Sequence, residues 1–534
     1  MFGREVLLRA EREATRQLRR LQQQRFRATV TSVQDRTTEP GLQAQPEPSA
    51  SSSALPFEQI PGPRSLPVIG TRWLHMPGGP LHGMTFYEKV CKLRSMFGEI
   101  IREEVVPGFH LLHLYKPEDY ETVYRNDGKY PVRNSFFMLQ RYNKKYNDGI
   151  HGIIDSQGES WHRLRRQVQQ KMLKPKAVSA YFNDQAKVAD DFIDSLRQHR
   201  NKDDIIEDLL QHLYKFAAES IGVVCFNKRI GALDQTAGPN SESRQFINAV
   251  SDVMHATHTE MQSFFLFMYF DTPMFKRLVK AQNLIRSVSS RHAQDSLKRV
   301  LVASASGQEI DGEHGDLIPY MMTKTDLTEA EVMTVVTEFF FGGVDTTSHM
   351  LGFILYNLCK NPDSMGRLRE EIDAILTDGR PPTDEDISRM TYLKAVFKES
   401  LRILPVAPGN GRSSTRDLVL SGFRIPKGTV MALHHDVTGH DDQQFHEASQ
   451  FRPERWLRSP ENQQTVHPFI FMPFGFGARG CVGKRFAEQE VALAIVKFLQ
   501  NFDIDYCHTT DLKYEMNIVN TPVTPLRFRF SDRK

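Results

Sequence analysis

Cysteine is scarce in this 534-residue chain: Cys91, Cys225, Cys359, Cys481 and Cys507 are five in all, far apart and without a CxxC pair. That excludes a disulfide scaffold and a zinc module, and it suggests a reducing compartment. An excess of one charge is lacking too. Sixty-eight Lys and Arg against 65 Asp and Glu leave a net +3, which argues against a dedicated nucleic-acid binder while leaving room for local basic patches, and no nucleic-acid partner is expected. The first 36 residues lack lysine and hold only four acids, Glu5, Glu11, Glu13 and Asp35, beside nine arginines. No apolar run there exceeds Val6-Leu7-Leu8, which leaves no signal-peptide core and no anchor. Arg-rich, amphipathic and weakly acidic, residues 1–36 predict a mitochondrial presequence, with a soluble charged helix or arm as the alternative. Residues 37–59 are rich in Pro, Ser, Gln and Thr and read as a linker. Order is expected from Ile60-Pro61-Gly62-Pro63.

What remains, 60–534, is globular in composition, with 40% hydrophobic and 25% charged residues in the whole chain. Helical periodicity covers stretches near 84–98, 116–125, 159–172, 176–199, 203–226, 241–266, 275–303, 328–359, 362–377, 385–403 and 484–501. Short strand-like pieces lie near 100–114, 418–433 and 503–530. Strands do not alternate with helices, so a doubly wound sheet is not expected; the reading is one large, mainly α domain with a minor β-sheet portion. The stretch 328–358 opens with a capping box, Thr328-Glu329-Ala330-Glu331. It is apolar enough to raise a membrane span, yet Glu338 and Asp345 would each cost about 2.5–3.5 kcal/mol inside one. A buried central helix is the better reading. Its middle, Gly342-Gly343-Val344-Asp345-Thr346-Thr347, is a poor helix former, because a helix-interior glycine costs about 1 kcal/mol. A functional site and close packing over glycine both account for it.

The segment Phe474-Gly475-Phe476-Gly477-Ala478-Arg479-Gly480-Cys481-Val482-Gly483 contains GxGxxG, with Asp503 and Asp505 about twenty residues on, as in a dinucleotide fingerprint. Pro473 interrupts the strand that motif requires, and no βαβ series surrounds it. The alternative is a thiolate iron site. Cys481 precedes a helix whose N-terminal partial charge and N–H groups stabilise a thiolate. The glycines let backbone approach a flat ligand, Phe474 can pack over it, and Arg479 can pair with an anionic substituent.

The pattern F-x-x-G-x-R-x-C-x-G resembles the haem-binding signature of the cytochromes P450, and the resemblance spans about residues 60–530. Gly342–Thr347 resembles that family's oxygen-activating helix motif, Glu399-Ser400-Leu401-Arg402 its E-x-x-R, and Trp161-His162-Arg163-Leu164-Arg165 its W-x-x-x-R. Phe451-Arg452-Pro453-Glu454-Arg455-Trp456 resembles its P-E-R-F box, with Trp in place of Phe. The resemblance implies the P450 fold around buried haem b, iron protoporphyrin IX, with Cys481 as axial ligand of the iron. It implies propionate contacts from Trp161, Arg165, Arg412 and Arg479, with Phe474 packing on the ring; His467 is a further candidate, with a capping or core histidine as the alternative. It also implies a structural triad Glu399, Arg402 and Arg455, and a proton-delivery pair, Asp345 and Thr346. A helical threonine otherwise bonds back to its own backbone. Phe136, Phe137, Met138 and the apolar run 264–270 fall where the family places its access channel and membrane-facing loop, with a core stripe as the alternative.

Gly128-Lys129-Tyr130-Pro131-Val132-Arg133 resembles a signature of the mitochondrial branch. Lys394 and Lys398, with Lys484 and Arg485, are similar to that branch's docking site for a [2Fe-2S] ferredoxin, itself reduced by an NADPH-dependent reductase. No flavin or nicotinamide domain is legible, so electrons are expected from that partner. The implied enzyme is a monooxygenase that uses O2 to hydroxylate a lipophilic substrate, resembling the sterol side-chain and vitamin D hydroxylases. The implied location is peripheral, on the matrix side of the mitochondrial inner membrane. A xenobiotic-oxidising member, and a haem-thiolate isomerase or sensor that needs no electron donor, are the competing readings.

Overall fold

A computed structural model describes residues 53–134, 136–234, 238, 240–262, 266–305, 317–323, 325–458 and 466–533. The predicted presequence 1–36 and most of the linker lie outside them, as do Phe264 and Phe265. The chain divides into two units, the smaller built from 53–134, 157–159 and 411–434, the larger from the remaining described residues.

The smaller unit holds most of the largest sheet. Strands Ile100–Val106 and Phe109–Leu114 pair antiparallel, and the second pairs parallel with Val430–Leu433. Leu112 and Leu114 turn inward and are fully buried. Among the described residues, strand-like pairing is already present at Leu55, which exchanges backbone hydrogen bonds with Gly422 and Arg424 at 2.9 and 2.8 Å. That is five residues ahead of the expected Ile60.

The larger unit is helical around one long element, Glu329–Lys360. Its capping box forms as the sequence predicts: Thr328 Oγ1 accepts Glu331 N–H at 3.3 Å, and Glu331 Oε2 accepts Thr328 N–H at 2.9 Å. From Val332 to Leu358 it is buried on nearly every side. Leu209–Phe226, Glu242–Gln262, Pro273–Ala305 and Lys484–Asn501 pack against it. It is the buried central helix the two acids argue for, and no described helix is long and apolar enough to cross a membrane.

Three boundaries differ from the sequence reading. The stretch 385–403 is two helices, Asp384–Arg389 and Thr391–Ile403, separated at Met390. The helix expected from 203 starts at Leu209, because Ile205–Ile206 joins Phe528–Asp532 as a strand. Phe137–Tyr146 is a helix the periodicity did not mark.

Candidate active site

The cysteine loop is a chain of tight turns ahead of the helix Lys484–Asn501. Gly475 and Gly477 have φ of +70° and +67°, a region nearly closed to residues with a Cβ. Gly480 N–H bonds Gly477 O at 3.0 Å, and Cys481 N–H returns to Phe474 O at 2.8 Å. Cys481 is not disulfide-bonded. It stands three residues before a helix whose first N–H groups have no intrahelical acceptor, a setting that favours a thiolate. No strand leads into the loop, so the GxGxxG here lacks the βαβ frame of a dinucleotide site.

Trp161 and Arg165 lie on the helix Gly158–Met172 and meet this loop. Arg165 Nη2 donates to Gly480 O at 2.7 Å. Burial holds its guanidinium below the ordinary value, while the nearby Cys481 sulfur acts in the opposite sense. The Arg479 guanidinium lies 3.9 Å from the centre of the Trp161 ring and donates to Ser156 O at 2.9 Å and Ile153 O at 3.4 Å. Phe474 stacks parallel to Phe397 with ring centres 6.3 Å apart. Arg412 is in the smaller unit, where its buried Nε donates to Asp127 Oδ2 at 2.9 Å. His467 Nδ1 accepts Phe469 N–H at 3.3 Å, the capping alternative.

On the central helix the two glycines differ. A Cβ on Gly343 would meet Ile221 Cδ1 at 2.4 Å, so that glycine serves packing, whereas one on Gly342 would meet nothing within 4 Å among the described residues. Thr346 Oγ1 donates to Gly342 O at 2.7 Å, the back-bond open to a helical threonine. Asp345 is buried, its Oδ1 has no hydrogen-bond partner, and burial pushes its carboxyl up to about 7.

Glu399, Arg402 and Arg455, the three residues the family resemblance groups together, are in contact and are buried far more deeply than a surface pair. Arg402 grips Glu399 through Nη2 at 2.7 Å and Nε at 2.9 Å, and Arg455 Nε donates to the same carboxylate at 2.9 Å. Arg402 and Arg455 also donate to backbone carbonyls of Gly439, Ala448 and Glu447. Burial alone would raise the Glu399 carboxyl, but the two guanidiniums outweigh it and hold the group below its usual range. The sequence reading missed Trp456: its Nε1 donates to Glu399 Oε2 at 2.8 Å. With the Arg452 N–H at 2.9 Å, tryptophan in place of phenylalanine makes five donors on this carboxylate, and the departure from the P-E-R-F pattern was the indole's only signal. Because every donor needs the anion, Glu399→Gln is expected to cost about 2–3 kcal/mol. A thermal midpoint within a degree of wild type would show that the triad does not carry stability.

A cysteine at a glycine-rich helix entrance, with guanidinium and indole groups gathered beside it, suits a haem whose iron takes sulfur and whose propionates take cations. Trp161 gives the test of fit: it is 1% exposed, and its Nε1–H has no partner, a donor that calls for an acceptor. The fold and this loop are those of a haem-thiolate protein. The chain belongs to the cytochrome P450 family, whose profile matches residues 60–529. It is 32% identical over 96% of its length, and 95% of the other, to a probable mitochondrial cytochrome P450 12a5 of Drosophila melanogaster. It is 29% identical to cytochrome P450 CYP12A2 of Musca domestica, covering 95% of this chain and 97% of that one. It is 28% identical to mitochondrial cytochrome P450 302a1 of Drosophila melanogaster, covering 89% and 95%. The protein is therefore a haem-binding oxidoreductase of the monooxygenase class.

Proposed function

We propose that this P450 hydroxylates a sterol, steroid or secosteroid with electrons from a [2Fe-2S] ferredoxin, peripherally on the matrix side of the mitochondrial inner membrane. Haem, when bound, supplies the iron chemistry that puts one oxygen atom of O2 into a C–H bond and sends the other to water, consuming two electrons and two protons. Cys481 would ligate the iron, Phe474 would pack on the ring, and Trp161, Arg165, Arg412 and Arg479 would hold the propionates. Asp345 and Thr346 would pass protons, and Glu399, Arg402 and Arg455 would keep the cysteine loop folded.

The observation that carries this reading is Asp345. A buried carboxyl with an unpartnered oxygen, poised near neutrality, is costly to keep and suits a reaction that consumes protons. An isomerase or sensor has no such need. The substrate class rests on resemblance to sterol hydroxylases; a xenobiotic substrate is the second reading. A spectral binding screen over sterols, secosteroids and xenobiotics decides between them, and a response to xenobiotics alone would reject the sterol class. Leu266 and Phe270, 50% and 68% exposed, support membrane contact, whereas Phe267 between them is core.

The basic patch supports ferredoxin docking. Lys394 and Lys398 are exposed and one turn apart on Thr391–Ile403, so both ammonium groups can address one partner. Lys398 also approaches Glu488, which lies among Lys484 and Arg485 of the neighbouring helix. Exposed charges of this kind set encounter rate and specificity, and salt screens them over about 8–10 Å. Replacing Lys394 and Lys398 with glutamate is expected to lower ferredoxin-driven turnover about tenfold, with substrate binding and peroxide-driven turnover nearly unchanged. Equal turnover with ferredoxin, or efficient reduction by a microsomal flavoprotein reductase, would overturn the docking and mitochondrial assignments.

A further inference from the structure

Glu338 is buried on the central helix, seven residues before Asp345, and has no place in the machinery described above. Its Oε2 accepts the backbone N–H groups of Ile153 and, at 3.1 Å, Ile154. A Cβ added to Gly152 would sit 2.1 Å from the Glu338 carboxyl carbon, so the backbone of this turn lies directly on the carboxylate. Thr334, one helical turn earlier, accepts Asn147 Nδ2 at 3.0 Å, and Asn147 Nδ2 also bonds Ile150 O at 2.8 Å. Asp155 closes the turn from within, accepting Gly152 N–H and Asn143 Nδ2, each at 3.0 Å. Two contacts, at Thr334 and Glu338, therefore tie residues 147–154 to one face of the central helix.

The same turn supplies Ile153 O and Ser156 O, the two acceptors of Arg479. We propose that Glu338 is a positioning residue: by fixing the turn 151–156 it sets the carbonyls that aim Arg479, and with it the Trp161 indole, at the haem propionates. This rests on the reading of Arg479 and Trp161 as haem partners. A guanidinium has five N–H groups in a rigid plane, so holding two on fixed carbonyls sets the direction of the others. The Glu338 carboxylate is engaged by the backbone of residues 152–154. Its effect reaches the haem through backbone carbonyls, and it links the helix carrying Asp345 to the arginine that precedes Cys481 by two residues.

The test uses full-length, haem-loaded protein and reads haem loss to excess apomyoglobin, hydrogen exchange at residues 150–157, and the thermal midpoint. Arg479→Lys probes the underlying reading and is expected to speed haem loss about tenfold, the loss of a charge-assisted grip. Glu338→Gln keeps the shape but removes the charge and replaces one acceptor oxygen with an NH2 donor. It is expected to expose the Ile153 and Ile154 amides to exchange and to speed haem loss about three- to tenfold. In the Arg479→Lys background the same change should add less than about twofold, because both act through one contact. Glu219→Gln is the control: that buried carboxylate accepts Ile230 N–H at 2.9 Å and Leu233 N–H at 3.3 Å in a different turn. It should lower the thermal midpoint comparably and leave haem loss at the wild-type rate. Unchanged haem loss in Arg479→Lys overturns the propionate reading and the proposal with it. Fast loss in Arg479→Lys with wild-type loss in Glu338→Gln overturns the proposal alone, as does full multiplication of the two effects or equally fast loss in Glu219→Gln.

Discussion

Cys481→Ser is expected to eliminate the strongly red-shifted Soret band of the ferrous carbon monoxide form, and monooxygenase turnover with it. The substitution changes one atom. Serine preserves the size of the side chain, and the turns around it are held by the backbone bond from Cys481 N–H to Phe474 O and by the Arg165 side chain donating to Gly480 O, neither of which involves the sulfur. The loop should therefore fold as before. What disappears is the anion: a thiol at a helix N-terminus beside a guanidinium ionises readily, whereas an alcohol does not. Only the thiolate donates enough charge to haem iron to favour cleavage of dioxygen. A variant that loads less haem but shows an ordinary, unshifted band agrees with this assignment. A variant with an unaltered red-shifted band refutes it, and another residue must then be the ligand.

The same loop shows what a single sequence discloses. Cys481, Arg479 and the flanking glycines are legible because they share one motif, Phe474–Gly483, whatever they later touch, and Glu399 and Arg402 are legible because they lie one helical turn apart. Partners that arrive from afar are not. The break at Met390 has no proline or glycine to announce it; the N–H groups of Tyr392 and Leu393 are capped by Glu371, about twenty residues upstream, at 2.8 and 2.9 Å. Ile205–Ile206 becomes a strand only because Phe528 and Arg529 pair with it. Helix Phe137–Tyr146 begins at a left-handed Phe136 with no side-chain cap, so the usual start signal is missing. Glu338 illustrates the limit best. In the sequence it argues only against a membrane span; its acceptor role depends on Ile153 and Ile154, some 185 residues away.

Asp345→Asn is expected to lower turnover about 100-fold, the usual scale for losing a proton-transfer group, while haem content and substrate binding stay near wild type. Two titratable side chains near Asp345 (His349 and Tyr214) are each fixed in one protonation state. His349, whose Nε2 meets Tyr214 Oη at 2.9 Å, is pushed by burial down to about 3, and burial holds the Tyr214 phenol above its ordinary value. Neither exchanges protons near neutrality. Asp345, pushed up to about 7 by burial, does. Thr346 donates its own proton to Gly342 O, which leaves its oxygen lone pairs to accept another. Thr346→Ala should accordingly release more hydrogen peroxide per electron, with substrate binding unchanged. The pH dependence has a definite sign. An acid raised from 3.8 to about 7 on folding binds more protons folded than unfolded in that interval, so wild-type stability falls as pH rises through it. Asparagine cannot ionise and should remove that loss. Relative to wild type, the variant should gain thermal stability between pH 5 and pH 8 while product per electron stays low throughout. Turnover near wild type would remove Asp345 from the proton path, and a stability difference that shrinks as pH rises would mean that the carboxyl is ionised and stabilised in the folded protein.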